Sequence, residues 1–442
     1  MRKSYYIFCL LLATCVISSC RLGETHEVDW DDIKHADGTM FHVISQRETD
    51  LSKGFPHDCY LPDGTPVTEY TDDEEQPACG PRRTNSVTGA AVLQALLDWG
   101  NNDQVVEIVG TYQSWDTEYN GVILSGKVML PKGRRPKRMI LVSHYTVGSN
   151  AEAPSNCFSL EGILVRMGYG LVIPDYQGYG VTVTDIHPYL VMETTALQVF
   201  DMWKAVESWL KAVGMEPEEK AIDMMGYSQG GATTMATLHL IEQLNDYLPD
   251  SLQTKVHRVY VGGGPYEVKA TYERFVNTDV AGYPVAVPLV LQGMIKGNNL
   301  NIKMEDMVQP WLCDKMDDWV NSKLYTTAQI NGFIKTRVTH DLLTEEAMAQ
   351  TSDKVAELYK AMTENSIVSY DWTPKAAVYM MHSIDDETVP YTNAVNAKNK
   401  WQGANIEYNF GHYGTHVRCC LRFIYTVQTL IKREEEERRK YE

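Results

Sequence analysis

Beyond its first twenty residues the chain has no apolar run approaching the roughly 18 to 20 residues of a membrane-spanning helix, so no later transmembrane segment is expected. It has no basic excess: 40 Lys and Arg stand against 58 Asp and Glu, a net charge of -18, which excludes nucleic acid as a partner because phosphate backbones are held by clustered cations. It has no C-x-x-C pair. Its one H-x-x-x-H spacing, His412 with His416, lacks the inner Glu of a zinc-binding helix and lies beside glycines, so no metal site is expected. Nor is the composition that of a disordered chain, with 44% hydrophobic and 22% charged residues. A length of 442 residues accommodates one large α/β domain with an insertion, or two ordinary domains.

What is present begins with a targeting segment. Arg2 and Lys3 form a positive start, Tyr5 to Ile17 an apolar stretch, and Ile17-Ser18-Ser19-Cys20 ends it with small residues before a cysteine. This resembles the lipobox of bacterial lipoproteins. The resemblance implies a signal peptide over residues 1–19 and lipid attachment at Cys20, which would anchor the protein to a membrane of the bacterial cell envelope. Six cysteines remain, at 59, 79, 157, 313, 419 and 420, and export permits disulfides. Cys59 with Cys79 is the expected pair, closing a polar loop with little core of its own.

Residues 20–104 read as a tether and an extension packed on the main domain, with one helix expected over Val87 to Trp99. From Val105 strands take over. Val105 to Gln113 and Val122 to Leu130 suit a hairpin joined by Asp116 to Gly121. Met139 to Ser143 and Leu171 to Pro174 are continuous apolar runs suited to strands buried on both faces, with a helix expected between them over Asn156 to Met167. A longer helix carries Ala196, Val199, Trp203, Val206 and Leu210 at helical spacing. Further strands are expected at 221–225, 256–261, 376–381 and 406–410, and a last helix from Val417 to Lys432 with Leu421, Ile424, Val427 and Ile431 on one face. Strands alternating with amphipathic helices mean a doubly wound, mostly parallel sheet. The alternation stops over residues 270–372, a helix-like insertion between a first core part, 105–269, and a second, 373–442.

Within the first core part, Gly226-Tyr227-Ser228-Gln229-Gly230 has the form G-x-S-x-G between a strand and a helix, a turn too tight for side chains at its glycines. A serine hydroxyl at neutral pH needs a base, and the base an orienting carboxylate. The stretch after the 376–381 strand offers Asp386, with Asp385 as the alternative. The loop before the last helix offers His416, with His412 as the alternative. An oxyanion also needs donors. The backbone N–H of Gln229, directly after the serine at a helix start, is the first candidate.

Several of these segments together resemble the α/β-hydrolase family, most closely its secretory lipase and serine esterase branch: His144-Tyr145-Thr146, Asp175 to Gly180, Gly226 to Gly231, Gly262 to Pro265, Asp386 to Pro390, and His416. The resemblance covers about residues 105–432. It implies a doubly wound sheet with a helical lid at 270–372, and hydrolysis of a small-molecule carboxylic ester through an acyl-serine intermediate without a cofactor. It also implies Ser228, Asp386 and His416 as catalytic residues, and Tyr145 or Thr146 as the second oxyanion donor. The expected substrates are short to medium acyl esters, of lipid or of acylated carbohydrate. A prolyl or dipeptidyl serine peptidase and a non-catalytic binding lipoprotein are the alternatives.

Overall fold

The computed structural model describes residues 40–71 and 89–440; the targeting segment, Cys20 and Cys79 lie outside them. Among the described residues one sheet contains nine strands: β1 (His42–Asp50), β2 (Gln104–Trp115), β3 (Gly121–Pro131), β4 (Met139–Ser143), β5 (Gly170–Pro174), β6 (Ile222–Tyr227), β7 (Val256–Gly262), β8 (Ala377–Ser383) and β9 (Ile406–Gly411). Their spatial order is β1-β2-β3-β5-β4-β6-β7-β8-β9. The pairings from β1 to β5 along that order are antiparallel, and all pairings from β5 to β9 are parallel. Every residue of β4, β5 and β6 is buried, as continuous apolar strands covered by helices on both faces should be.

The helices that matter for the site are α1 (Gly89–Leu97), α2 (Met192–Ala212), α3 (Gln229–Asn245), α4 (Val268–Thr278), α5 (Ala286–Gly297), α6 (Thr327–Ile334), α7 (Asp353–Glu364), α8 (Thr392–Lys400) and α9 (His416–Arg438). The stripe Ala196, Val199, Trp203, Val206 and Leu210 of α2 is buried, as is Leu421, Ile424, Val427 and Ile431 of α9. Each large apolar side chain so placed contributes about 1.5–3 kcal/mol. Between β7 and β8 the described chain adds no strand to the sheet. It runs through α4 to α7 and several shorter helical turns.

Three details differ from the sequence reading. β1 extends the sheet from within the region read as a tether and extension, pairing His42 to Asp50 against Thr111 to Gln104 of β2. Its polar sequence carries little apolar alternation because it is an edge strand, mostly exposed. The segment before β5 is a 3-10 helix, Leu160–Met167, rather than an α-helix from Asn156. All eight of its residues are buried, so it has no solvent stripe, and the tighter winding spans about 16 Å where eight α-helical residues would span about 12 Å. Cys59 is not in a disulfide. It is a fully buried thiol packed with Leu61, Val67 and Phe158, where sulfur acts as a small apolar group. Cys157, Cys313, Cys419 and Cys420 are free thiols as well.

Candidate active site

The sharp turn between β6 and α3 puts Ser228 at φ 58° and ψ -126°, a left-handed conformation that costs a non-glycine residue about 1–3 kcal/mol. Its surroundings hold it there. The Ser228 N–H donates to Gly262 O at 2.9 Å, at the end of β7. A Cβ at Gly226 would lie 2.2 Å from Gly230 O, and one at Gly230 would lie 1.9 Å from Ser143 O. The two glycines therefore let the turn close on itself and press against the end of β4.

Asp386 lies in the turn after β8, where its Oδ1 accepts the N–H groups of Thr388 at 2.9 Å and Val389 at 2.7 Å. Its Oδ2 is 2.7 Å from His416 Nδ1, and His416 Nε2 is 2.8 Å from Ser228 Oγ. All three residues are buried. A neutral imidazole that donates from Nδ1 to the carboxylate leaves Nε2 free to accept the serine proton. Burial pulls the His416 pKa down, but the charge and hydrogen bond of Asp386 outweigh it and raise it above the ordinary value. For Asp386 burial pushes up, and the charge and hydrogen bond of His416 outweigh it, leaving the carboxyl below its usual range.

The alternatives, Asp385 and His412, pair with each other instead. Asp385 Oδ1 is 2.8 Å from His412 Nδ1, with side chains 45% and 53% exposed. Three supports of the buried set went unnoticed in the sequence, two because they are contacts between segments far apart in the chain and the third, His382, because only the fold of its turn shows which way it faces. Tyr227 OH donates to His416 O at 2.7 Å, and Glu387 Oε2 accepts the His416 N–H at 3.0 Å. His382 is fully buried 3.8 Å from Asp386 Oδ2, donating from Nε2 to Val389 O at 3.0 Å, while burial depresses its pKa.

The loop after β4 runs alongside the turn. Among the described residues the backbone N–H groups of Gln229, Tyr145 and Thr146 donate to no other protein group, although all three residues are buried. Their side chains are tied down. Tyr145 OH donates to Tyr60 O, and Thr146 Oγ1 lies 2.8 Å from Tyr189 OH. Gln229 Nε2 is 2.8 Å from His187 Nε2, whose Nδ1 is 2.7 Å from Gln177 O. Burial and the charge of Lys323 push the His187 pKa down to about 3. His187 is therefore neutral, donating from Nδ1 to the carbonyl and accepting the Gln229 amide at Nε2. Among the described residues no three His, Cys, Asp or Glu side chains gather as metal ligands, and no helix is long and apolar enough to cross a membrane.

The fold has solved counterparts. The chain is similar to the rice cell wall degrading esterase LipA from Xanthomonas oryzae, with TM-score 0.66 and 20% identity, covering 79% of this chain and 96% of that one. It is similar to a putative hydrolase from Legionella pneumophila with TM-score 0.66, 18% identity and the same coverages. The shared architecture is that of the α/β hydrolases. In sequence it is 24% identical over 324 residues to a secreted triacylglycerol lipase of Malassezia globosa, a match over 66% of this chain and 62% of that protein's length. The secretory lipase family model matches residues 155–421, more than half of the chain and the whole span from β5 past Ser228 and Asp386 to His416, so the chain belongs to the secretory lipase family.

Proposed function

We propose that the protein is an exported serine hydrolase that cleaves carboxylic esters of small molecules through an acyl-Ser228 intermediate. The observation that carries this reading is the buried hydrogen-bonded chain Ser228–His416–Asp386 on a strained turn. Ser228 Oγ attacks the ester carbonyl while His416 Nε2 takes its proton, and Asp386 stabilises the imidazolium that forms. The oxyanion accepts from Gln229 N–H and from the N–H of Tyr145 or Thr146; one such donor is worth about 10²–10³ in kcat in comparable sites. His416 then passes the proton to the departing alcohol. A water activated by the same imidazole attacks the acyl-serine and releases the acid.

Short to medium acyl esters fit the surroundings. Val287, Leu289, Val290 and Leu291 of α5 are buried, and Gly293 packs so close to Tyr189 that an added Cβ would lie 2.3 Å from Tyr189 O. Tyr189 touches Thr146, so an apolar helix adjoins the proposed oxyanion loop. Residues 270–372, to which α5 belongs, are proposed to act as a lid. The lipobox supports a cell-envelope location with the lipid on Cys20.

The test is a fluorophosphonate probe together with p-nitrophenyl esters from acetate upward. Labelling that vanishes in Ser228→Ala, with ester turnover, is expected. Cleavage of aminoacyl or prolyl anilides without ester turnover would transfer the protein to the peptidases, and neither labelling nor turnover would leave the binding lipoprotein.

A further inference from the structure

Among the described residues two lysines are buried, in opposite circumstances. Lys127 on β3 is 1% exposed and compensated, its ammonium held by Glu107 and by Cys157 O. Lys323, in the segment leading to α6, is 3% exposed, and among the described residues no carboxylate or carbonyl is bonded to its Nζ. Its Nζ stands 5.0 Å from the centre of the Tyr179 ring. A cation–π contact replaces only part of the hydration an ammonium loses on burial, and a buried charge normally has an opposite partner.

The position of this ammonium ties it to the reacting centre. Tyr179 OH donates to Val147 O at 2.6 Å, in the loop that carries Tyr145 and Thr146. The rings of Tyr179 and His187 meet edge to face at 5.2 Å, and His187 holds the Gln229 side chain next to the nucleophile. The backbone around Lys323 is braced on the same loop. Lys323 O accepts the Asn150 N–H at 2.8 Å, and a Cβ at Gly148 would lie 2.6 Å from Thr327 N. Glu152, in the same region, accepts from Gly148 N–H, Ser149 N–H and the Ser149 hydroxyl at Oε2 only, and burial pushes its pKa up to about 7. Burial alone brings the Lys323 pKa down to about 8, which leaves the side chain mostly charged at neutral pH.

We propose that Lys323 is a substrate-recognition residue whose ammonium, walled by Tyr179 and His187 beside the loop of Tyr145 and Thr146, takes the carboxylate of an anionic ester. Its neighbours His187 and Tyr179 are neutral, so among the described residues the ammonium has no bonded counter-charge, which an incoming anion would supply and a neutral oxygen would not. The inference rests on the ester-hydrolase reading for what reacts at Ser228. The carboxylate sits on either the acyl or the alcohol half of the ester.

Calorimetry on Ser228→Ala, which holds uncleaved esters, separates the two halves. The acyl arm compares monomethyl adipate with methyl hexanoate, and the alcohol arm compares the butyryl ester of glycolate with propyl butyrate. At least one carboxylate ester is expected to bind tenfold or more tightly than its neutral isostere. Lys323→Met should abolish that ratio and Lys323→Arg, with the same backbone demands and a retained charge, should keep most of it. Equal binding in both arms, or a preference that survives Lys323→Met in a variant that melts as a folded protein, overturns the proposal. Fluorophosphonate labelling of the unmutated chain tests the hydrolase reading separately. A Lys323-dependent preference without labelling sinks that reading and leaves the anion site standing.

Discussion

Gly230→Ala tests how tightly the backbone around Ser228 is built. The added Cβ would lie 1.9 Å from Ser143 O, whereas ordinary contacts begin near 3.4 Å, so the two backbones must part by about 1.5 Å. Neither side is a flexible side-chain end: Gly230 follows Ser228 by two residues, and Ser143 leads into Tyr145 and Thr146. A misplacement of about 1 Å between reacting groups costs on the order of 10²-fold in rate, and overpacking a well-filled site costs about 1–3 kcal/mol. Gly230→Ala is therefore expected to lower kcat on p-nitrophenyl butyrate by about 10²-fold or more and to reduce stability by about 1–3 kcal/mol, read from denaturant unfolding. Gly332→Ala in α6 is the control. Its Cβ meets nothing within 4 Å, and alanine in a helix is favoured over glycine by about 1 kcal/mol, so stability should hold or rise. Activity and unfolding midpoint both unchanged in Gly230→Ala would refute the reasoning.

Other measurements address the remaining assignments. His416→Ala and Asp386→Asn should each lose at least about 10³ in kcat with the fold intact by circular dichroism, whereas His412→Ala should stay within a few-fold of the unmutated protein; an inactive His412→Ala would reverse the choice of base. Because His416 must be neutral to accept the serine proton and its pKa is raised, kcat/KM should fall as pH drops through a value above 6.5. In Asp386→Asn the residual activity should have its acid limb at lower pH, since the main group that raises the histidine is gone and only the smaller effect of the Glu387 charge still opposes burial; an unmoved limb would mean another group controls it. Cys20→Ser should release the protein from the membrane fraction of a bacterial host, and an unchanged membrane fraction would place the anchor elsewhere.

Much of the architecture was legible because it is written locally. Met139 to Ser143, Leu171 to Pro174 and the strand before Ser228 are short apolar runs whose own residues record burial on both faces, and the stripes of α2 and α9 record their spacing in the same way. The G-x-S-x-G turn was legible for a related reason: its glycines answer a steric demand made within a few residues and at the adjoining strand. What stayed hidden depends on partners distant in sequence. β1 is polar because an edge strand is held mainly by backbone hydrogen bonds, and those carry no side-chain signature. Asp385 and Asp386 are neighbours of one chemistry, as are His412 and His416 within one loop. Only the turn after β8 and the first turn of α9 decide that Asp386 and His416 point inward to Ser228 while Asp385 and His412 meet in solvent. Lys323 looks like any surface lysine in the sequence. Its burial depends on packing against Tyr179 and the loop after β4, more than a hundred residues earlier in the chain, because composition records a charge but only tertiary structure determines what surrounds it.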